Sequence, residues 1–271
     1  MTKCLKMRSK LRIDFEKWHG NGNDFVIVNS VENKLKVKKD FIRKASNRNK
    51  GVGFDQLIKL CLPTKETHDF FVKFFNADGS EANMCLNGIR CAASYVWRNS
   101  FAPQKKISFM TKAGIVECLP PKQSKVSVYI KNPVDICKPR LNKVLTSKLK
   151  QPFSLLNIGN NHLCLKMKSI SKVDLAKIYK ELPKLTKDIE INLSIYKKEK
   201  NKITIRTYEN GVGETLSCGS ASLSVASIFI NNAKGPIEVS SFGGKLNFRK
   251  YNDGILMAGP TGFIFKGNIN G

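Results

Sequence analysis

A short element occurs twice in the chain and constrains the fold more than any other feature of the sequence. It consists of a glutamate, Glu81 or Glu214, placed four residues before a cysteine, Cys85 or Cys218. The apolar residues after Cys85 have the spacing of one helix face, and the run at 223–230 is apolar on nearly every side. This periodicity predicts an amphipathic helix and a buried helix, so each cysteine should lie just before a helix N-terminus.

The predicted position of the cysteines has chemical consequences. Unpaired N–H groups in a first helical turn attract anions and lower the pKa of a nearby thiol. Two such units facing each other would place sulfurs on opposite sides of one small anionic substrate, so that one could remove a proton and the other return one. A single cysteine is more often a small buried hydrophobe, but packing alone poorly explains a repeated element.

Composition indicates a globular protein with room for two lobes. The chain has 271 residues, of which 41% are hydrophobic and 10 are proline. No stretch reaches the apolar length that crosses a membrane, and the basic leader at residues 1–10 is followed by no continuous apolar segment. These features predict a cytoplasmic protein without membrane contact.

The cysteines do not indicate a metal site or a disulfide framework. The eight cysteines form no C-x-x-C pair and no regular ligand spacing, which argues against structural zinc or another metal. Without a secretory signal, reduced thiols are expected. Cys91 lies within the first predicted helix and is expected to serve packing.

The net charge of +26 suggests a polyanion partner, but its distribution argues against one. Lysines are spread along the chain, with local densities at 34–50 and 138–150, and arginine is sparse. Nucleic-acid binding is therefore not expected as the main function, although a positive field would help to recruit an acidic substrate.

The remaining pattern predicts an α+β fold in which each half supplies several strands and one central helix, with the site in the cleft between the halves. The predicted N-terminal lobe spans 11–132, with a strand at 262–271 completing it, and the C-terminal lobe spans 133–261.

We expect a glycine-broken turn at 18–24, a strand break at Pro120 and Pro121, and an irregular connection at 133–151. Helices are predicted at 34–49 and 173–182, and strands at 11–15, 25–28, 57–61, 70–75, 107–111, 114–119, 125–130, 153–158, 163–167, 189–195, 202–208, 237–241, 246–249 and 256–259. No phosphate-binding loop or dinucleotide fingerprint is present, so no nucleotide cofactor is indicated.

Several motifs in order along the chain closely resemble diaminopimelate epimerases. They are Lys17-Trp-His-Gly-Asn-Gly-Asn-Asp-Phe25, Gly51-Val-Gly-Phe-Asp-Gln56, Phe75-Asn-Ala-Asp-Gly-Ser-Glu81, Cys85-Leu-Asn-Gly-Ile-Arg-Cys91, Gly159-Asn-Asn-His162, Gly211-Val-Gly-Glu-Thr215, Cys218-Gly-Ser220 and Gly243-Gly244.

The resemblance implies a cofactor-independent isomerase that converts LL-2,6-diaminopimelate to the meso form on the route to lysine and peptidoglycan. It also implies two pseudo-symmetric lobes, each a small β-barrel-like sheet around a central helix, and members of this family often form homodimers. By position, the resemblance implies that Cys85 and Cys218 are the acid and base and that His162 and Glu209 help to set their protonation. It further implies that the substrate pocket is lined by Asn23, Gln56, Asn76, Asn160 and Asn192, and that Asn87, Gly219 and Ser220 hold the reacting carboxylate.

Three residues depart from the family pattern; two of them concern substrate binding, and the third, Asn161, is expected to have a mild effect. Asn210 stands where the family usually has an arginine expected to grip the distal carboxylate, Leu86 replaces a glycine, and Asn161 replaces a proline. Losing a bidentate cation weakens that anchor or relaxes the requirement for the distal group. A cofactor-independent racemase of another amino acid is therefore a second hypothesis, and an inactive binding protein is a third, which the two retained cysteines and Glu209 disfavour.

Overall fold

The computed structural model describes residues 12–31, 35–186 and 189–270. The basic leader at 1–10, Cys4, residue 11 of the predicted first strand, residue 34 of the predicted first helix and Gly271 lie outside the described residues.

The first half of the described chain contains nine strands and two helices. They are β1 (Arg12–Gly20), β2 (Asn23–Ser30), α1 (Lys39–Ser46), β3 (Gln56–Cys61), β4 (Phe70–Asn76), β5 (Glu81–Ala82), α2 (Leu86–Arg98), β6 (Ile107–Thr111), β7 (Gly114–Lys122), β8 (Lys125–Lys131) and β9 (Val134–Asp135).

The second half contains nine strands and three helices within the described residues. They are α3 (Pro139–Lys148), β10 (Phe153–Asn157), β11 (Asn161–Lys166), α4 (Leu175–Thr186), β12 (Asn192–Glu199), β13 (Lys202–Glu209), β14 (Gly213–Thr215), α5 (Gly219–Ile230), β15 (Ile237–Ser241), β16 (Gly244–Tyr251), β17 (Gly254–Pro260) and β18 (Gly262–Asn270).

The two halves repeat one strand order. In the first half, β2 pairs with β3 in parallel, β3 with β4 antiparallel, and β4 with β6 in parallel. In the second half, β11 pairs with β12 in parallel, β12 with β13 antiparallel, and β13 with β15 in parallel. The same correspondence extends to the antiparallel β4–β5 and β13–β14 pairs, which lead into α2 and α5. The repeated sequence element therefore occupies equivalent places in the two halves.

The halves are joined at three points of the sheet. β8 pairs antiparallel with β17 over seven residue pairs, from Gly254 opposite Lys131 to Pro260 opposite Lys125. β9 follows the first half but pairs with β10 of the second, and β18 follows the second half but pairs with β1 of the first. Each half therefore provides a strand to the other.

The helices α2 and α5 form the centre of the main hydrophobic core. Ile89, Ala92, Ala93 and Val96 of α2 are fully buried, as the helical spacing predicted, and α5 is buried along most of its length. The α+β class with two pseudo-symmetric halves around central helices is confirmed. The division into lobes at 11–132 and 133–261 stays a prediction.

Two expectations about irregular segments were wrong. The 133–151 connection contains β9 and α3, and α3 buries only Leu145 completely, so it gives a weak helical period. β7 continues through Pro120 and Pro121 to Lys122, because a register shift between Leu119 and Lys122 takes the prolines out of the regular ladder.

Other element boundaries also differ from the sequence prediction. Predicted strand 189–195 begins at Asn192 and extends to Glu199, because the Ile189 N–H bonds to the Thr186 carbonyl at the end of α4. The predicted turn at 18–24 shrinks to Asn21 and Gly22, whose φ angles of 55° and 80° make a tight hairpin between β1 and β2. The short strands β5 and β14 were not predicted.

Candidate active site

Cys85 and Cys218 are the N-cap residues of α2 and α5. Both have extended backbones, with φ and ψ of −136° and 117° at Cys85 and −119° and 116° at Cys218. The carbonyl of Cys85 accepts the N–H of Ile89 at 2.8 Å, and that of Cys218 accepts the N–H of Ser222 at 3.0 Å. The prediction that each cysteine immediately precedes a helix is therefore confirmed.

The N-termini of α2 and α5 are in direct contact. The side-chain amide of Asn87, in the first turn of α2, donates to the carbonyl of Ser217 at 3.4 Å. A Cβ added to Gly219, the first residue of α5, would lie 3.0 Å from Cβ of Leu86 and 3.3 Å from Oδ1 of Asn87. Because a cysteine precedes each helix, these contacts bring the two halves of the repeat together at one site.

Cys85 is partly exposed and is surrounded by polar groups. Its thiol donates to Oδ1 of Asn23 at 3.4 Å. Burial raises the pKa of Cys85 to about 11; hydrogen bonds from the backbone N–H groups of Gly88 and Asn87 lower it, and the charge of Glu209 raises it further. The N–H groups of the helix thus act in the predicted direction, but burial outweighs them.

Cys218 is buried, with 8% of its surface exposed. Its sulfur lies 3.3 Å from Oγ of Ser220. Burial raises the pKa of Cys218, the charge of Glu209 raises it further, and hydrogen bonds with Ser220 and the Ala221 N–H lower it. Burial therefore outweighs the helix N–H groups at Cys218 as well, because local sequence shows the helix end but not the depth of burial.

Glu209, at the end of β13, contacts the second cysteine. Its Oε1 accepts the hydroxyl of Thr215 at 2.6 Å, and its carboxylate is hydrogen-bonded with Cys218. Burial raises the pKa of Glu209, and these two hydrogen bonds lower it in part. Since β4 and β13 occupy equivalent places, Asn76 at the end of β4 is the counterpart of Glu209. The repeat thus provides a titratable carboxylate on one side and a neutral amide on the other.

His162 is fully buried in β11 and is neutral at ordinary pH. Its Nε2 lies 3.0 Å from Oδ1 of Asn160, an acceptor, so Nε2 carries the proton. Nδ1 has no hydrogen-bond partner among the described residues. Burial lowers the pKa of His162 to about 4.

A chain of polar contacts connects the strand beside His162 with the loop after Glu209. Asn192 pairs with His162 across β11 and β12, and its Oδ1 accepts the backbone N–H of Asn210 at 2.9 Å. Oδ1 of Asn210 accepts the hydroxyl of Tyr179 at 2.8 Å. Tyr179 and Asn210 also line a surface cavity of about 210 Å³ between α4 and this loop.

Gln56 and Asn76 lie opposite each other at the ends of β3 and β4. Nε2 of Gln56 donates to Oδ1 of Asn76 at 2.9 Å, and the Asn76 amide donates to the Ser80 hydroxyl at 3.0 Å. Oε1 of Gln56 and Oδ1 of Asn87 are buried and have no hydrogen-bond partner in the described part of the chain. These two acceptors suit a donor such as a substrate ammonium group.

The two glutamates of the repeated element form ion pairs, and Leu86, which departs from the family pattern, lies in the core. Glu214 accepts two hydrogen bonds from Arg206, at 2.7 and 2.9 Å, and Glu81 lies 3.6 Å from Lys73. Both carboxylates are therefore held in ion pairs. The side chain of Leu86 is 4% exposed and belongs to the core.

Comparison with known proteins agrees with the geometry. A family model described as diaminopimelate epimerase matches residues 15–134. The diaminopimelate epimerase of Methanocella arvoryzae is 32% identical, over 96% of this chain and 97% of its own. That of Acinetobacter baylyi is 30% identical, over 95% and 97%. The chain belongs to the diaminopimelate epimerase family. It is therefore an isomerase.

Solved structures show that the fold of this family member is shared more widely. A phenazine biosynthesis protein from Bacillus anthracis matches with a TM-score of 0.69 and 14% identity, over 96% of this chain and 99% of its own. A hydroxyproline epimerase from Agrobacterium vitis matches with a TM-score of 0.67 and 10% identity, over 97% and 94%.

Sequence reasoning missed three polar residues beside the site of this epimerase. Asp55 and Thr215 lie within motifs that carried the resemblance, and the structure places them against Asn23 and Glu209. Arg48 bonds to Asp55 at 2.7 Å, and no sequence motif marked it. Within the described residues no helix is long and apolar enough to span a bilayer.

Proposed function

We propose that this protein inverts one α-carbon of LL-2,6-diaminopimelate to give the meso isomer, in lysine and peptidoglycan biosynthesis in the cytoplasm. The observation that carries the proposal is the meeting of two helix N-termini, each capped by a cysteine of the repeat. A substrate α-carbon between the thiols could lose a proton to one face and gain one on the other. The mature enzyme is proposed to be a homodimer.

The proposed reaction needs one thiolate and one thiol. The thiolate takes the α-proton, the electron pair stays on the α-carbon and its carboxylate, and the opposite thiol then donates its proton to the other face. After product release, the two sulfurs have exchanged their protonation states. Because the reaction needs one thiolate and one thiol, the pair titrates as a coupled unit. Stabilisation of the developing anion is proposed to come from the first-turn N–H groups of α2 and α5.

Substrate recognition follows from the polar groups around this point. The carboxylate at the reacting centre is proposed to bind the N–H groups at Asn87, Gly219 and Ser220. The unpartnered oxygens of Gln56 and Asn87 are proposed to accept hydrogen bonds from the α-ammonium group. That cation would also favour thiolate formation, since a nearby positive charge stabilises the ionised thiol.

Glu209 and His162 are proposed to control the protonation of the thiols. Glu209 can accept the proton of Cys218, because its carboxylate is hydrogen-bonded to that residue. His162 is held neutral by burial and carries its proton on Nε2. Asn23, Asn76, Asn160 and Asn192 are proposed to line the remainder of the pocket.

A second candidate is the racemisation of another amino acid at the same cysteine pair. It is favoured by Asn210, whose side-chain oxygen accepts the Tyr179 hydroxyl and whose backbone N–H donates to Asn192. This side chain provides no positive charge for a distal carboxylate. A neutral distal pocket fits a substrate with one carboxylate.

Deuterium incorporation separates the two candidates. The protein is incubated in deuterated buffer with LL-diaminopimelate and with a panel of free L-amino acids. Deuterium incorporation at the α-carbon is then measured by mass spectrometry. We expect exchange with inversion on diaminopimelate. Exchange confined to another amino acid would move the function to the second candidate, and exchange on none of them would contradict both.

A further inference from the structure

A cluster of charged side chains lies beside the site and is connected to Cys85 through Asn23. Arg48 donates two hydrogen bonds to Asp24, at 2.8 and 2.9 Å, and a third to Oδ1 of Asp55 at 2.7 Å. Lys17 donates to Oδ2 of Asp24 at 2.6 Å. Burial opposes ionisation of Asp24, but the bonds from Arg48 and Lys17 outweigh it and lower the pKa of Asp24 to about 2. The cluster is therefore a fixed array of charges.

Asp55 connects this array to Asn23. Oδ2 of Asp55 accepts the side-chain amide of Asn23 at 2.8 Å and the backbone N–H of Asp24 at 3.1 Å. A carboxylate can only accept hydrogen bonds, so the NH₂ of Asn23 must face Asp55. The opposite orientation would place the Asn23 oxygen against the Asp55 carboxylate.

The orientation of Asn23 determines what Cys85 meets. With its NH₂ on Asp55, Asn23 turns its oxygen toward the Cys85 sulfur at 3.4 Å and toward the Asn87 amide at 3.5 Å. An amide oxygen accepts a hydrogen bond from a thiol but repels a thiolate. The charged cluster thus reaches Cys85 through one neutral side chain.

We propose that Asp55, held by Arg48, is a positioning residue that keeps the carbonyl of Asn23 turned toward Cys85 and so keeps the proton on Cys85 in the resting enzyme. Asn23 cannot itself take that proton. On the other side of the site, the carboxylate of Glu209 can take the proton of Cys218. Asn23 therefore favours Cys85 as a proton donor in the resting enzyme.

Other charged and titratable groups also face Cys85. Glu209 approaches from β13 and disfavours its thiolate, whereas Arg90, within α2, favours it. Cys91 of α2 is itself deeply buried and interacts with Cys85. Removing a negative charge at Asp55 would favour the Cys85 thiolate through its field as well as through Asn23, so an experiment must separate the two effects.

A double-mutant cycle on alkylation of Cys85 makes this separation. The full-length protein, without substrate, is treated with iodoacetamide across a range of pH, and modification is measured for each cysteine by peptide mass spectrometry. The variants are Asp55→Asn, Asn23→Ala and the double variant. The side chain introduced by Asp55→Asn has the shape of aspartate but can also donate a hydrogen bond to Asn23. The side-chain amide of Asn23 is then free to reverse.

We expect Asp55→Asn to lower the apparent pKa of Cys85 by about half a unit, which raises its alkylation rate near neutral pH roughly three-fold. Asn23→Ala removes the acceptor and one hydrogen bond to Asp55 but leaves every charge in place, and it should also raise the rate. In the Asn23→Ala background, Asp55→Asn should have a clearly smaller effect, because only the field of the lost charge remains. Modification of Cys61, a partly exposed cysteine on β3 outside the pair, is the internal reference.

Two results would overturn the proposal. One is an unchanged Cys85 profile in Asn23→Ala, a variant that leaves every charged group in place. The other is an Asp55→Asn effect of the same size with and without Asn23, which would identify a field effect alone. The role of Cys85 as resting proton donor rests on the proposed function, but this measurement uses no substrate. Its failure is therefore distinguishable from a negative deuterium experiment.

Discussion

Gly219 and Leu86 are packed so closely that a Cβ on Gly219 would lie 3.0 Å from the Cβ of Leu86. The two residues are the first of α5 and α2, and each directly follows a cysteine. The contact therefore sets the spacing of the two helix N-termini. The absence of a side chain at 219 is what allows this approach.

Gly219→Ala is expected to push the two helix ends apart. Overpacking of this kind costs about 1–3 kcal/mol. A displacement near 1 Å at a reacting centre lowers rates on the order of 100-fold, and the smaller shift needed here should cost less than that. Steady-state inversion kinetics and thermal unfolding measure both effects. Leu86→Gly in the same chain removes the Cβ that the new methyl group would meet and should recover much of the activity. Gly235→Ala is the matched control, since its added Cβ would have only an ordinary contact at 3.9 Å; equal losses in both variants would contradict the spacing role.

Replacing either cysteine of the pair should abolish inversion. Cys85→Ala and Cys218→Ala each remove one of two proton carriers, and loss of a positioned acid or base costs about 10²- to 10⁴-fold. Chiral chromatography of the product after incubation in deuterated buffer measures the loss. Cys61→Ala, at a partly exposed cysteine on β3, should retain activity. Full inversion by either variant of the pair would refute the two-thiol mechanism.

His162 should make the folded protein less stable as the pH falls. Its pKa is about 4 in the fold against 6.5 for the free side chain, so between these values the unfolded chain binds a proton that the folded chain does not. Stability is therefore lost as the pH drops from about 6.5 to about 4, by up to roughly 3 kcal/mol. Urea unfolding at several pH values should show this slope in the wild type and a smaller slope in His162→Gln. An identical slope in the variant would mean that other groups produce it.

Asn210→Arg should strengthen binding of a substrate with a distal carboxylate. A charge-assisted hydrogen bond contributes about 1.5–3 kcal/mol, so the KM for diaminopimelate should fall about ten-fold or more with kcat little changed. Asn210→Gln is the neutral control and should not lower the KM. If Arg and Gln behave alike, another residue already holds the distal group.

The sequence was sufficient to predict the features that depend on local pattern. Helical spacing after Cys85 and Cys218 gave both N-caps, and alternation gave most strands. α3 was missed because a helix that buries only Leu145 has little periodicity. The helix ends at Cys85 and Cys218 were predicted, but the burial that raises the pKa of both thiols has no signature in the local sequence. The contact between Asn23 and Asp55 joins residues 32 positions apart, and no local pattern predicts the orientation of an amide.

The exchange of β9 and β18 makes the two halves mutually dependent for their edges. Ending the chain after β17 would remove no residue of the first half, yet it would leave the outer side of β1 without its neighbour. A cut between β9 and α3 would likewise separate β10 from one of its two neighbouring strands. Neither half is a detachable module, and a gene encoding only one of them would produce a sheet with an open, aggregation-prone margin.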